Sequence, residues 1–168
     1  MVKLTLYGGI NEIGGNKILV EESDTRFFLD FGFSFSRVKK FFAEFLRPRS
    51  FNILVDYFEL GILPDLEGIY RDDYLVKAGR RISDELGIDG VVISHAHADH
   101  VQNIALLHKD IRIYCGETTK LFLKIIQTTS KGGVESELYN YKRAFENRRK
   151  KESIERNFKT FRILSRIK

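Results

Sequence analysis

The sequence predicts a mixed fold of α and β elements. Two observations carry this expectation: the first thirty or so residues alternate apolar and polar side chains in short runs, and the stretch after residue 100 changes to a helix–strand–helix rhythm. A third is the apolar run Val91-Val92-Ile93, which reads as a short buried strand and delivers a dense group of histidines at its C-terminal end.

Taken in chain order, Leu4 and Leu6, then Ile18 and Val20, alternate with polar neighbours as half-buried strands do. Between them, Gly8-Gly9-Ile10-Asn11-Glu12-Ile13-Gly14-Gly15-Asn16 is glycine-rich and reads as a loop. Glu21-Glu22-Ser23-Asp24 turns the chain into a third strand from Arg26 to Phe31, so the opening reads as an antiparallel meander ended by Asp30-Phe31-Gly32. From Val38 to Leu46 the apolar positions 38, 41, 42, 45 and 46 form a helical stripe that Pro48 terminates. Residues 50–77 have no clean period and are expected to pack as a partly ordered insertion over one end of the sheet. Lys77 to Leu86 suits a helix stopped by Gly87. After the histidines, Val101 to Leu107 suits a helix, Ile111 to Tyr114 a strand and Glu117 to Thr128 a helix. Lys131-Gly132-Gly133 breaks that rhythm; residues 134–157 are strongly charged and expected to be helical, and Phe158 to Ile163 begins another strand.

With 168 residues the chain is about one domain long, and 43% hydrophobic residues can support a sizeable core. No apolar run approaches the ~20 residues that cross a bilayer, and the N-terminus enters strand-like sequence without a signal peptide's apolar stretch. No membrane partner is expected. Cys115 is the single cysteine, which excludes an internal disulfide and fits a cytoplasmic location. At the end of an apolar run it reads as a buried small hydrophobe rather than a ligand. The formal net charge of +5 is uneven: residues 131–168 hold twelve Lys and Arg against five Asp and Glu, leaving sixteen against eighteen for residues 1–130. The basic excess centres on Arg148-Arg149-Lys150-Lys151, which reads either as a solvated helix face or as a patch for a phosphate backbone such as RNA.

The chemistry is concentrated in Ser94-His95-Ala96-His97-Ala98-Asp99-His100. Imidazole and carboxylate are both good ligands for zinc and similar divalent ions. His95 and His97, two apart in extended backbone, project to one side and can grip one metal. If the chain then turns into a helix, Asp99 and His100 can point back toward a second. Two metals ~3.5–4 Å apart can clamp both oxygens of a displacement at phosphorus. Small side chains at 96 and 98 leave room for close approach, while the apolar strand before and Ile104, Leu106 and Leu107 after anchor the turn. His108 stands apart and reads as a partner of a helix C-terminus, not a ligand.

This ligand pattern after an apolar strand resembles the signature of the metallo-β-lactamase fold, an αββα sandwich. Within that superfamily, the loop from Gly8 to Asn16 and Leu29-Asp30-Phe31-Gly32 resemble the ribonuclease J-like and β-CASP nucleases. The resemblance is clearest over residues 1–36 and 88–115. It implies that His95 and His97 bind one metal and Asp99 and His100 the other, with zinc the expected ion and manganese the alternative. Asp99 would also hold or deprotonate the attacking water, and Asp30 would orient a ligand through a hydrogen bond. The implied activity is RNA phosphodiester cleavage by a metal-bound hydroxide; the alternative is a small-molecule hydrolase of the same fold acting on a thioester, lactone or β-lactam.

The chain departs from the family's pattern downstream. The family completes its metal site with a further His, a bridging Asp and a last His, yet no histidine follows His108. The β-CASP insertion is absent too. Residues 1–168 are therefore expected to be the N-terminal part of a larger enzyme, with an insertion at about 37–80, catalytically incomplete alone and exposing an apolar sheet face. A homo-oligomer of the full-length protein is compatible with this expectation.

Overall fold

A computed structural model describes residues 1–42, 52–131, 137–138, 140–143, 155–158 and 161–163. The fold is mixed α and β. Strands β1 (Lys3–Gly8), β2 (Lys17–Glu22) and β3 (Thr25–Leu29) form the expected antiparallel meander. The sheet then changes sense: β4 (Gly90–Val92) and β5 (Arg112–Cys115) join it in parallel, and β8 (Phe161–Ile163) extends it, giving the order β1-β2-β3-β4-β5-β8. A separate antiparallel ribbon is made by β6 (Asn140–Arg143) and β7 (Glu155–Phe158).

Strand parity divides the sheet into two unlike faces. Leu19, Phe28, Val91, Ile113 and Cys115 point to one side and are essentially inaccessible, sharing one core with Phe31, Leu54, Tyr57, Ile104 and Leu123. Burial pushes the Cys115 thiol pKa up, as suits a core residue. On the other side, registration aligns Leu6, Ile18, Leu29, Val92 and Tyr114 in one row and Leu4, Val20 and Phe27 in the next. Here Leu4 is 59% and Leu6 50% exposed.

The helices lie in the connections. Helix α1 (Phe35–Phe41) begins where Ser34 Oγ accepts the Arg37 N–H at 3.2 Å. The expected stripe to Leu46 runs into residues 43–51, outside the described residues. The aperiodic stretch that follows carries α2 (Ile53–Glu59) and α3 (Asp72–Lys77). It contributes Ile53, Leu54, Tyr57, Ile62, Leu63, Ile69 and Tyr70 to the core, so this stretch is part of the packed interior. The helix expected from Lys77 to Leu86 does not form. Gly79 takes the left-handed conformation (φ 65°), the Arg80 N–H donates to Leu75 O at 2.9 Å and the Gly79 N–H to Val76 O at 3.1 Å. That is a Schellman stop, and it ends α3 where the new helix should have begun.

Around the motif, α4 (Ala98–Val101) passes into a 3-10 turn (Gln102–Leu106), so the helix expected at 101–107 is split. Helix α5 (Glu117–Thr129) matches its expected bounds to within a residue and buries Thr119 and Leu123. The charged stretch 134–157, expected to be helical, instead contains β6 and the start of β7. The charged residues of this stretch follow no clean period, so its composition alone does not separate a helix from a strand. Arg148, Arg149, Lys150 and Lys151 lie outside the described residues.

Candidate metal centre

The motif sits where parallel strand β4 leaves the sheet. Ile93 is the last buried residue of that run, and its N–H donates to Tyr114 O at 2.8 Å. Ser94 then meets Asp30, which leaves β3 beside it with φ 56°. The Asp30 carboxylate accepts the Ser94 N–H at 2.8 Å and the Ser94 hydroxyl at 2.9 Å, and it lies 2.7 Å from His100 Nδ1. His97 caps α4, its carbonyl accepting the N–H groups of His100 and Val101 at 2.9 and 3.1 Å.

Two further segments brace the turn through their backbones. Three successive carbonyls, of Ala98, Asp99 and His100, accept the N–H groups of Phe33, Asn16 and Phe31 at 3.1, 3.2 and 2.9 Å. This approach demands glycine. A Cβ on Gly32 would lie 1.6 Å from Asp99 O, and one on Gly14 would lie 2.6 Å from Asp99 Cβ. Glu12 ties the loop together by accepting the Gly9 N–H at 3.1 Å and the hydroxyls of Ser34 and Ser36. Burial opposes its charge, but hydrogen bonds from Ser34, Gly9 and Ser36 and the nearby Arg37 outweigh that and lower its pKa.

Hydrogen bonding also orders the ring nitrogens. The Asp30 carboxylate accepts, so its contact with His100 Nδ1 puts the ring proton there and turns the Nε2 lone pair toward Asn16 Nδ2 at 3.3 Å and toward Asp99. The Ser94 hydroxyl donates to Asp30 and accepts the His95 Nδ1–H at 2.9 Å, which turns the His95 Nε2 lone pair toward His97 Nδ1. These nitrogens fall in two pairs with their neighbours. His95 Nε2 lies 3.1 Å from His97 Nδ1, and His100 Nε2 lies 3.4 Å from Asp99 Oδ2. Two donors ~2.0–2.1 Å from one tetrahedral ion stand ~3.3 Å apart, so both pairs have the spacing of shared ligands. Each pair supplies two donors, and among the described residues no three His, Cys, Asp or Glu side chains close on one point.

The predicted residues His95, His97, Asp99, His100 and Asp30 thus come together. His108 does not join them; it lies 3.5 Å from Asp72 and 3.7 Å from Asp110 and lines a separate cavity of about 320 Å³. Sequence reasoning gave no role to Asn16, Lys17, Ser94 or Asn103, all of which hold the turn. Lys17 carried one readable signal: it shares strand parity with the buried Leu19.

The chain is mixed α and β with a histidine-bearing turn at the C-terminal end of a parallel strand, and its relatives can be set against that. No family model matches the chain. Ribonuclease J from Helicobacter pylori strain 26695 is 27% identical over 111 residues, covering 66% of this chain and 12% of that protein. The strain J99 ribonuclease J matches over the same extent. The aligned segment therefore spans about an eighth of these relatives' length. Among solved structures, a protein of unknown function from Enterococcus faecalis V583 superposes with TM-score 0.58 at 23% identity, over 79% of this chain and 31% of that one. It shares the fold. A Thermotoga maritima protein described as a candidate metallo-β-lactamase superposes more loosely, with TM-score 0.40 at 18% identity over 82% of this chain and 54% of that one.

Proposed function

We propose that this chain carries the ligand turn of a metallo-β-lactamase-superfamily hydrolase, and that the full protein is an RNA-processing nuclease. The observation that carries the hydrolase reading is the pairing of candidate ligand atoms, His95 Nε2 with His97 Nδ1 and Asp99 Oδ2 with His100 Nε2, at 3.1 and 3.4 Å. Likeness to ribonuclease J and the basic composition of residues 131–168 favour RNA as the substrate.

In this reading His95 and His97 hold one divalent ion, and Asp99 and His100 hold the other, with zinc or manganese as the ion. Bound there, the ions supply positive charge to phosphoryl oxygens and lower the pKa of water. Asp30 keeps the His100 proton on Nδ1 and so keeps Nε2 aimed at the site. The Asp99 oxygen not committed to the pair accepts the proton of the attacking water. Lys and Arg of the last quarter neutralise backbone phosphates, with Arg148, Arg149, Lys150 and Lys151 as the densest group.

The test is cleavage of 5′-labelled RNA by the full-length protein supplied with zinc or manganese. Cleavage should fall by about a hundredfold or more in Asp99→Ala. No cleavage by the unaltered protein, or equal cleavage by Asp99→Ala, overturns the nuclease reading. Turnover of a thioester, lactone or β-lactam without RNA cleavage transfers the site to a small-molecule hydrolase.

A further inference from the structure

Lys17 has no part in the chemistry above, yet it is only 1% exposed. Its ammonium donates to Gly15 O and Gly32 O, both at 3.0 Å, and rests beside Gly8, where a Cβ would lie 3.4 Å from Nζ. The charged groups that act on it are Arg37, which repels it, and Glu12, which attracts it; among the described residues neither carboxylate nor C-terminus comes within ion-pair distance. A buried ammonium without a close counter-charge is a costly way to fill a core position, and a methionine would occupy similar space without that cost.

The two carbonyls explain the expense by where they lie. Gly15 precedes Asn16, and Gly32 donates its N–H to Asn16 O at 2.9 Å. Asn16 in turn donates its N–H to Asp99 O at 3.2 Å, and its side-chain Nδ2 lies 3.3 Å from His100 Nε2. Gly32 O also accepts from the buried Asn103 Nδ2 at 2.7 Å. Lys17 therefore clamps together the two backbone segments that grip the Asp99–His100 turn. The path from Nζ to Asp99 crosses a single peptide unit, Gly15–Asn16, whose carbonyl accepts from Nζ and whose N–H donates to Asp99 O.

We propose that Lys17 is a positioning residue for the Asp99–His100 half of the site, its ammonium cross-linking Gly15 and Gly32 so that Asn16 holds the Asp99 carbonyl in place. The proposal rests on the reading of Asp99 and His100 as metal ligands. It leaves the His95–His97 pair independent of Lys17.

Lys17→Met in the whole chain removes the clamp and keeps the volume. Two readouts are taken: amide hydrogen exchange, and titration with cobalt(II) alone followed by its visible absorption. Exchange at the Asn16 and Gly32 amides should quicken by about tenfold or more while the Phe28 amide in β3 is unchanged. The cobalt signal that Asp99→Ala abolishes should weaken by about tenfold in affinity, and the signal that His95→Ala abolishes should hold. Lys17→Gln, which keeps donors but cannot span both carbonyls, replaces methionine if that variant does not fold. Unchanged exchange at Asn16 overturns the proposal. So does faster exchange with both cobalt signals intact, because Lys17 would then be structural only. Absence of cobalt uptake by the unaltered chain defeats the ligand reading instead, and the positioning proposal falls with it; normal uptake with no Lys17 effect defeats the proposal alone.

Discussion

Asp30 Oδ2 lies 2.7 Å from His100 Nδ1, and the same carboxylate holds Ser94 by its N–H and its hydroxyl. One acid thus fixes both ends of the motif, the residue that opens it and the residue that closes it. Asp30 adopts φ 56°, a conformation that Asp and Asn tolerate better than other side chains.

That tolerance makes Asp30→Asn a clean substitution. The backbone is kept and the charge is lost, so His100 is no longer compelled to carry its proton on Nδ1. Zinc or cobalt affinity of the full-length protein should fall about ten- to a hundredfold, as for other partners of metal-bound histidines. Calorimetric titration measures it, and an affinity equal to that of the unaltered protein would remove Asp30 from the site.

Gly32→Ala should be severe for a different reason. Its Cβ would lie 1.6 Å from Asp99 O and 2.6 Å from the His100 nitrogen, and backbone cannot swing aside as a side-chain end can. A loss of about 3 kcal/mol or more is expected, seen as a lower urea midpoint. Gly61→Ala is a control, because a Cβ there meets nothing within 4 Å; its cost comes only from the left-handed φ of 63°.

Lys17 should give stability a pH dependence. Burial, with Arg37 adding to it, pushes the Lys17 pKa down from 10.5 to about 8. Between those values the unfolded chain holds a proton that the folded chain has released, so stability from this group rises as pH increases from about 8 toward 10.5. The rise is worth about 3 kcal/mol at most. Urea unfolding of the unaltered chain and of Lys17→Met, compared at several pH values, isolates it from other titrating groups. A pH-independent difference between the two would contradict the expectation.

The exposed pair Leu4 and Leu6 gives a fourth expectation. Both lie on β1, which is also an edge of the sheet. Leu4→Lys with Leu6→Lys should lower binding of a hydrophobic dye and reduce self-association, because charge on an edge strand discourages pairing. At 59% and 50% exposure these leucines contribute little to folding, so the urea midpoint should barely move. Undiminished dye binding would show that the leucines are not the adhesive surface.

The sequence disclosed the site where its chemistry is local. His95, His97, Asp99 and His100 fall within six residues, so their convergence needs only a strand and a turn. Asp30 is reached through resemblance, since its partner lies seventy residues away. Asn103 carried no signal, because its value lies in one bond to Gly32, seventy-one residues distant. Helix ends were hidden similarly: Gly79 looks like an interior residue of the helix expected after Lys77 until its neighbours' hydrogen bonds show a stop. The meander was legible because its pairings join neighbours in sequence, whereas the parallel additions of β4 and β5 leave no mark in local periodicity.

The change from antiparallel to parallel pairing at β3 also sets an order of assembly. The meander can form once about thirty residues exist, since each of its pairings closes a short turn. Phe27 pairs with Gly90 only after the whole intervening segment has been made and closed, and Asp30 finds His100 only then. In a growing chain the pairings of the meander are thus available well before the histidine cluster can be completed, and any ion capture there would be a late event that reports completion of the sheet.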